Sequence, residues 1–400
     1  MADRLTRAHA EALDAADPLA GFRERFVVVD DGPVYVDGNS LGRLPRATAE
    51  RLTALVEQWG THLVSGWPEW IELPARAGDL LAAHVLGARP GEVLVCDSVT
   101  VNLFKLAGAV LAAEPGPLVG LRDDFPTDRY VLEGLAAQHG VELRLVDRAE
   151  LPAATRDARL AVLSKVDFRS GEVLDDPGGL VLWDLSHAAG AIELDLAEER
   201  LAVGCTYKYL NGGPGAPAFL YVREDLQPAL RSPIRGWFGQ RDQFAMGPAY
   251  DPVAGVERFL AGTPPVLDLT AVIAGAELVA GAGMPRIARK TRELTTLLVE
   301  LHDAWLAPLG FTLASPRDAA RRGGHVSLAH PEAWRVCRAL IERAGVVPDF
   351  RPAEGGGLVR FGLPALYTRF ADVWEAAART RDLVASGAHL EVDAAPARVT

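Results

Sequence analysis

LVLWDLSHAAGAIELDLAEERLAVGCTYKYLNGGPGAPAFLYV, residues 180–222, contains three short apolar runs: Leu180–Leu185, Leu201–Cys205 and Ala218–Val222. None alternates polar with apolar, so each predicts a strand buried on both faces. The first gap is long enough for a crossover and predicts a parallel pair. The second, Tyr207–Pro217, is too short for one and predicts an antiparallel partner. The same texture runs upstream through Val93–Cys96, Leu118–Leu121, Glu142–Val146 and Leu160–Leu163, with helical spacing over Val101–Ala113 and Tyr130–His139. Together these runs predict an α/β unit on a mainly parallel seven-stranded sheet.

Around that unit, Ala8–Ala16 predicts a helix stopped near Asp17-Pro18, and Phe26–Pro45 predicts two strand-like pieces about Gly32-Pro33. Ala47–Trp59 and Ala77–Leu86 predict helices. After Pro264-Pro265 long helices are expected at Leu267–Gly281 and Ile287–Trp305, strands at His325–Ala329 and Leu358–Phe361, and helices at Trp334–Ala344 and Phe370–Ala385, with a loose tail from Gly387 to Thr400. The expected division is an N-terminal segment, 1–45, serving the small domain and the active site; a large domain, 46–265; and a smaller α+β domain, 266–400.

A formal charge of −12 argues against a nucleic-acid partner, and no apolar stretch predicts a membrane span. Arg317–Arg322 reads as a solvated face. Three widely spaced cysteines, Cys96, Cys205 and Cys337, give no disulfide framework and no metal site, and point to a reducing cytoplasm. The N-terminus lacks the apolar core of a secretory signal.

Ligands of open parallel sheets bind at the carboxyl ends of the strands. After Val93–Cys96 comes DSVTVN, with hydroxyls at a helix N-terminus, either an ordinary cap or an anion site. After Leu118–Leu121 comes RDDFPTD, where Phe125 is either a loop anchor or a ring stacked on a flat ligand. Asp184 and His187 end another strand; a buried acid needs a partner, and a satisfied core pair is the plainer alternative. Lys208 follows one crossover and one strand later, between two tyrosines and a glycine-rich turn, so a parallel sheet would bring it to the same edge as Asp184. Taken alone, each part has an ordinary explanation. Jointly, an amine, an opposed acid, an anion-binding helix end and a stacking ring are what pyridoxal 5′-phosphate requires.

YVDGNSLGRLP, SVTVNLFKL, DDFPTDRY, WDLSHAAGAIELDL, CTYKYLNGGPGAPAFLYV, RGWFGQRDQF, FLAGTPPVLDL and LVRFGLPALYTRF, in that order from about Tyr35 to Phe370, resemble the kynureninase family of pyridoxal-phosphate hydrolases. The resemblance implies a fold-type-I architecture, a cytoplasmic homodimer with a shared active site, and L-kynurenine as a small-molecule substrate. It implies Lys208 as covalent anchor and base, Asp184 opposite the pyridine nitrogen, and Tyr207 as a proton donor. It places Val99, Thr100 and Tyr207 at the phosphate, Phe125, Pro126, Thr127 and Asp128 about the ring, and Ser164 and His187 beside them. Trp237 and Thr263 would reach the site from a partner subunit. Arg360 would clamp the substrate carboxylate, with Asn39, Ser40 and Trp67 also at the substrate. Trp67 and Thr263 fall where the family differs between members preferring kynurenine (Trp and Thr) and those preferring its 3-hydroxy form (His and Asn).

The alternatives are another class V enzyme of the same cofactor, an aminotransferase or a cysteine desulfurase, and a cofactor-binding homologue without activity. A desulfurase needs a mobile late cysteine, whereas Cys337 sits in the apparent helix AWRVCRAL. A dinucleotide-binding enzyme lacks its glycine signature after an early strand.

Overall fold

Residues 93–222 do build one seven-stranded sheet in the computed structural model, which describes residues 5–29 and 32–393. From the N-terminus, α1 (Arg7–Ala16) and the short strand β1 (Val34–Tyr35) precede α2 (Arg46–His62), the single turn α3 (Trp67–Trp70) and α4 (Leu73–Leu81). Then follow β2 (Val93–Val95), α5 (Val99–Ala113), β3 (Leu118–Leu121), α6 (Pro126–His139), β4 (Leu143–Val146), the turn α7 (Leu151–Ala154) and β5 (Leu160–Ser164). The strands β6 (Val181–Asp184), β7 (Leu201–Gly204) and β8 (Phe219–Val222) complete the sheet in the order β2-β8-β7-β6-β5-β3-β4. Only β8 runs against its neighbours, as the short 207–217 connection requires.

Continuous apolar runs fit this sheet because both faces are covered. Val119, Trp183, Ala202 and Phe219 point to one core, shared with α4 and the following helix α8 (Val266–Ala282). Their alternates Leu118, Leu182, Val203 and Leu220 point to another, shared with α5 and α6. Layers of helix, sheet and helix result.

The rest of the chain adds α9 (Met284–Leu301), β9 (Thr312–Leu313), β10 (His325–His330), α10 (Ala333–Arg343), β11 (Val346–Val347), β12 (Asp349–Ala353), β13 (Gly356–Gly362) and α11 (Phe370–Ala385). An antiparallel sheet of order β12-β13-β10-β9 packs with α9, α10 and α11 on a third core that also takes Ala10 of α1. β1 pairs in parallel with β11 and stitches the N-terminal arm to this core. Residues 168–173 are the strut between the two sheets: Arg360 donates to the Phe168 carbonyl, Ser327 to the Arg169 carbonyl, and the Gly323 N–H to the Gly171 carbonyl at 2.8 Å.

Some expectations need correction. The first strand-like piece, from Phe26, makes only an isolated bridge from Phe26 to Pro45; residues 30–31 of that stretch lie outside the described residues. Arg322 is not on a solvated face. It is 1% exposed and donates to the carbonyls of Pro316 and Arg317 and to the Thr296 hydroxyl. Within the expected loose tail, residues 388–391 form a 3-10 turn that buries His389; residues 394–400 lie outside the described residues. Among the described residues no single helix is long and apolar enough to cross a membrane.

Candidate active site

Register places the chemistry. Asp184, the last residue of β6, lies beside Ser164 of β5 and Val203 of β7. Four residues beyond the end of β7, Lys208 stands over the same sheet edge. The turn that carries it requires left-handed backbone at Asn211, Gly213 and Gly215. It is closed by the Gly212 N–H on the Thr206 carbonyl at 2.9 Å and the Thr206 hydroxyl on the Pro217 carbonyl at 2.7 Å.

A cavity of about 300 Å³ opens at this edge. Val99, Thr100, Phe125, Thr127, Ser164, Asp184, His187, Tyr207 and Lys208 line it. The helix end expected near residue 98 is present: Ser98 caps α5 by accepting from the Val101 N–H at 3.3 Å, and Ser98, Val99 and Thr100 line the cavity. Pro126 opens α6, and Phe125 immediately before it meets Phe168 edge-on at 5.3 Å.

The Lys208 Nζ lies 3.0 Å from His187 Nε2 and 5.7 Å from the centre of the Tyr207 ring. Among the described residues His187 Nδ1 has no hydrogen-bond partner. Burial, then the charge on Lys208, holds its imidazole well below the ordinary range, so it is neutral. Its ring sits 5.4 Å from that of His325 on β10. Burial raises the Tyr207 phenol, which therefore keeps its proton.

Three buried acids lie in this region, of which Asp184 lines the cavity and Asp124 and Asp128 do not. Asp184 accepts from the Ser186 N–H at 2.8 Å; burial raises its carboxyl, opposed by the Ser186 bonds and by Lys208. Asp128 is 1% exposed, and neither of its carboxylate oxygens meets a hydrogen-bond partner among the described residues. Burial first, then the charges of Asp184 and Asp124, push it well up. The Asp184 carboxylate and the first residues of α5 in the lining, with the orphaned Asp128 carboxylate one residue beyond the lining residue Thr127, suit a ligand cationic at one end and anionic at the other. The ring nitrogen and phosphate of pyridoxal phosphate meet that description.

Asp124 holds the loop beside the cavity. It accepts from the Ser164 hydroxyl, the Ser164 N–H and the Phe125 N–H, and so sets the loop that carries Phe125. The doublet Asp123-Asp124 was visible, but nothing in it says which acid turns inward. Cys205, Val166 and Phe168 also line the cavity without having been singled out.

Other expected site residues are outside the lining, although Arg360 donates to the carbonyl of the lining residue Phe168. Arg360 is 1% exposed and does not line the cavity. Its Nε is 2.7 Å from Asp349 Oδ2, its Nη2 also meets that oxygen, and its Nη2 lies 3.5 Å from the Ser40 hydroxyl. Asn39 is fully buried against Gly362, with no hydrogen-bond partner for its side-chain amide among the described residues. Trp67, Trp237 and Thr263 line no part of the cavity either. Trp67 lies in a second groove with Trp59, Trp70 and Pro264, and its ring is 6.5 Å from Phe238. Trp237 is 42% exposed and 4.5 Å from Phe238, and Thr263 is exposed.

Residues 287–380 match the family model of the kynureninase C-terminal domain. The chain is 43% identical over 403 aligned residues to a kynureninase of Burkholderia pseudomallei, covering 95% of each chain. It is 42% identical over 395 to a kynureninase of Pseudomonas fluorescens, covering 93% of this chain and 94% of that one. Among solved structures it is similar to a cysteine desulfurase of Thermococcus onnurineus (TM-score 0.75, 19% identity, 92% of this chain and 98% of that one). It is likewise similar to the cysteine desulfurase CsdA of Escherichia coli (TM-score 0.74, 18% identity, 93% and 98%). The desulfurases share the fold, whereas the identity to the kynureninases extends over 95% of the chain: the chain belongs to the kynureninase family.

Proposed function

We propose that the chain hydrolyses L-kynurenine, and 3-hydroxy-L-kynurenine, to L-alanine and anthranilate or its 3-hydroxy form, with pyridoxal 5′-phosphate in the cavity at Lys208. Bound there, the coenzyme supplies an aldehyde for the substrate amine and a cationic ring that accepts electrons from the substrate carbon. Asp184 keeps the ring nitrogen protonated, since a buried acid gains from an adjacent cation. Val99 and Thr100, at the start of α5, would hold the phosphate, and Phe125 would stack on the ring. Lys208 anchors the coenzyme and moves the α-proton. Tyr207, a phenol held protonated by burial, gives a proton to the substrate carbonyl oxygen. Arg360 receives the substrate carboxylate in competition with Asp349 and beside Ser40 and Asn39.

The observation that carries this reading is the Lys208 Nζ at 3.0 Å from a neutral His187, in a cavity that also holds Asp184 from the adjacent strand. A desulfurase reading needs a mobile late cysteine, and Cys337 is 1% exposed inside α10, its Sγ on the Pro348 carbonyl at 3.8 Å. The test is to add pyridoxal phosphate and each kynurenine separately to the purified protein and follow aryl-amine fluorescence. Release with kcat/KM favouring kynurenine supports the reading and the Trp67–Thr263 expectation. Bound coenzyme with no release from either substrate would overturn it.

We further infer a homodimer in which Trp67, Trp237 and Thr263 of one chain complete the cavity of the other. The exposed apolar side chains Val56, Trp59, Leu63 and Val64 continue that face and support burial by a second copy. The chain divides into the arm 1–45 and domains 46–265 and 266–400, with α8 linking the last to the first core. A reducing cytoplasm and a place in tryptophan breakdown complete the reading.

A further inference from the structure

One of the buried cations outside this chemistry lies in α5. Lys105, in the second turn of α5, is 0% exposed. Helix side chains lean toward the helix N-terminus, so its long stem reaches back to the start of α5. There its Nζ meets the Asp97 carboxylate and lies 2.6 Å from the Phe259 carbonyl. One turn earlier, Asn102 donates to the Cys96 carbonyl at 2.8 Å. Two polar side chains on the inner face of α5 thus grip the end of β2. Asp97 occupies the left-handed region at φ 48°, which a non-glycine residue adopts only when its surroundings impose it. The next residue is the cap Ser98, and then come Val99 and Thr100 at the cavity. Phe259 ends the turn 256–259, and the following carbonyl-bearing segment, with Ala261 accepting from the Phe238 N–H at 3.5 Å, leads to Thr263.

We propose that Lys105 is a positioning residue for the phosphate end of the cavity: by bridging Asp97 and the Phe259 carbonyl it fixes the turn that aims the α5 amides, and joins that turn to the segment bearing Thr263. The proposal rests on the coenzyme reading above. A buried lysine is costly unless paired, and a hydrophobic residue would fill the same space between β2 and α5. What the amine adds is direction for the strained turn.

The test uses apoprotein of wild type, Lys105→Met, Asp97→Asn and the double variant, titrated with pyridoxal 5′-phosphate and, separately, with pyridoxal, which lacks the phosphate. Each single variant should weaken pyridoxal phosphate binding about tenfold or more, while pyridoxal binding stays at the wild-type value. The double variant should be no worse than the singles, as for two residues acting through one contact. Wild-type affinity for pyridoxal phosphate in both singles, or equal weakening of both ligands, would overturn the proposal. If Lys105→Met does not fold, Asp97→Asn, which preserves shape, decides alone by the same two titrations. Wild-type protein that binds neither ligand would instead defeat the coenzyme reading, a separate outcome.

Discussion

Both donors of Ser164 converge on Asp124: the hydroxyl reaches Oδ1 at 2.5 Å and the N–H reaches Oδ2 at 3.0 Å. The end of β5 is thereby tied to the loop after β3, and Oδ1 also takes the Phe125 N–H at 2.7 Å. Asp124→Ala leaves these donors buried without an acceptor, at a cost of about 1–3 kcal/mol. We expect a lower denaturation midpoint and weaker coenzyme binding, because Phe125 loses its fixed loop. Equal midpoints and equal affinity for wild type and variant would refute this.

Lys208→Ala removes the amine that faces His187 at 3.0 Å. It is assigned both the covalent anchor and the proton transfer, and general-base catalysis alone is worth about 10²–10⁴-fold. Anthranilate release should fall at least a thousandfold by that measure, with coenzyme retained non-covalently and removed by gel filtration. Turnover near wild type would end the mechanism.

How much of this was legible beforehand follows from where each residue's partners lie. The sheet was, because runs such as Leu160–Leu163 and Leu201–Cys205 are buried on both faces and their connection lengths restrict pairing direction. The juxtaposition of Asp184 and Lys208 was, because it follows from parallel register alone. β12 was not: Pro352 interrupts its sequence pattern, which an edge strand tolerates. Arg322 read as solvated because its sequence neighbours are polar, yet its partners are carbonyls gathered by a turn. The commitment of Arg360 to Asp349 was hidden for a similar reason, since the two meet only through the antiparallel pairing of β12 with β13.

Asp37 gives a pH signature. Burial, then the Asp349 charge, push it from 3.8 up to about 7, against smaller help from Ser40, Arg360 and Arg351. For an acid whose folded-state value is raised, the stabilising contribution is present below about pH 4 and is lost as pH rises through about 7. The loss is on the order of a few kcal/mol. Asp37→Asn should therefore be more stable than wild type at pH 8, close to it at pH 4, and flatter between. Denaturant titrations at those two values and at pH 6 measure this, and an unchanged slope would refute it.

The placement of Trp237 carries the final prediction. In a single chain it is 42% exposed and lines no part of the Lys208 cavity. If it acts on the reaction, it acts on the cavity of another copy. Lys208→Ala and Trp237→Ala should each be impaired as pure proteins, by different routes. After mixing and subunit exchange, half the dimers are mixed by simple statistics. Each mixed dimer has one site with both defects and one with neither, because an intact Lys208 on one subunit then faces an intact Trp237 on the other. Activity should recover to about a quarter of wild type for a two-fold symmetric pair. If Trp237 served its own chain, every site in the mixture would carry one defect and nothing would be regained. The fluorescence assay distinguishes the two, and the same mixing with Thr263→Ala tests whether that residue shares the arrangement.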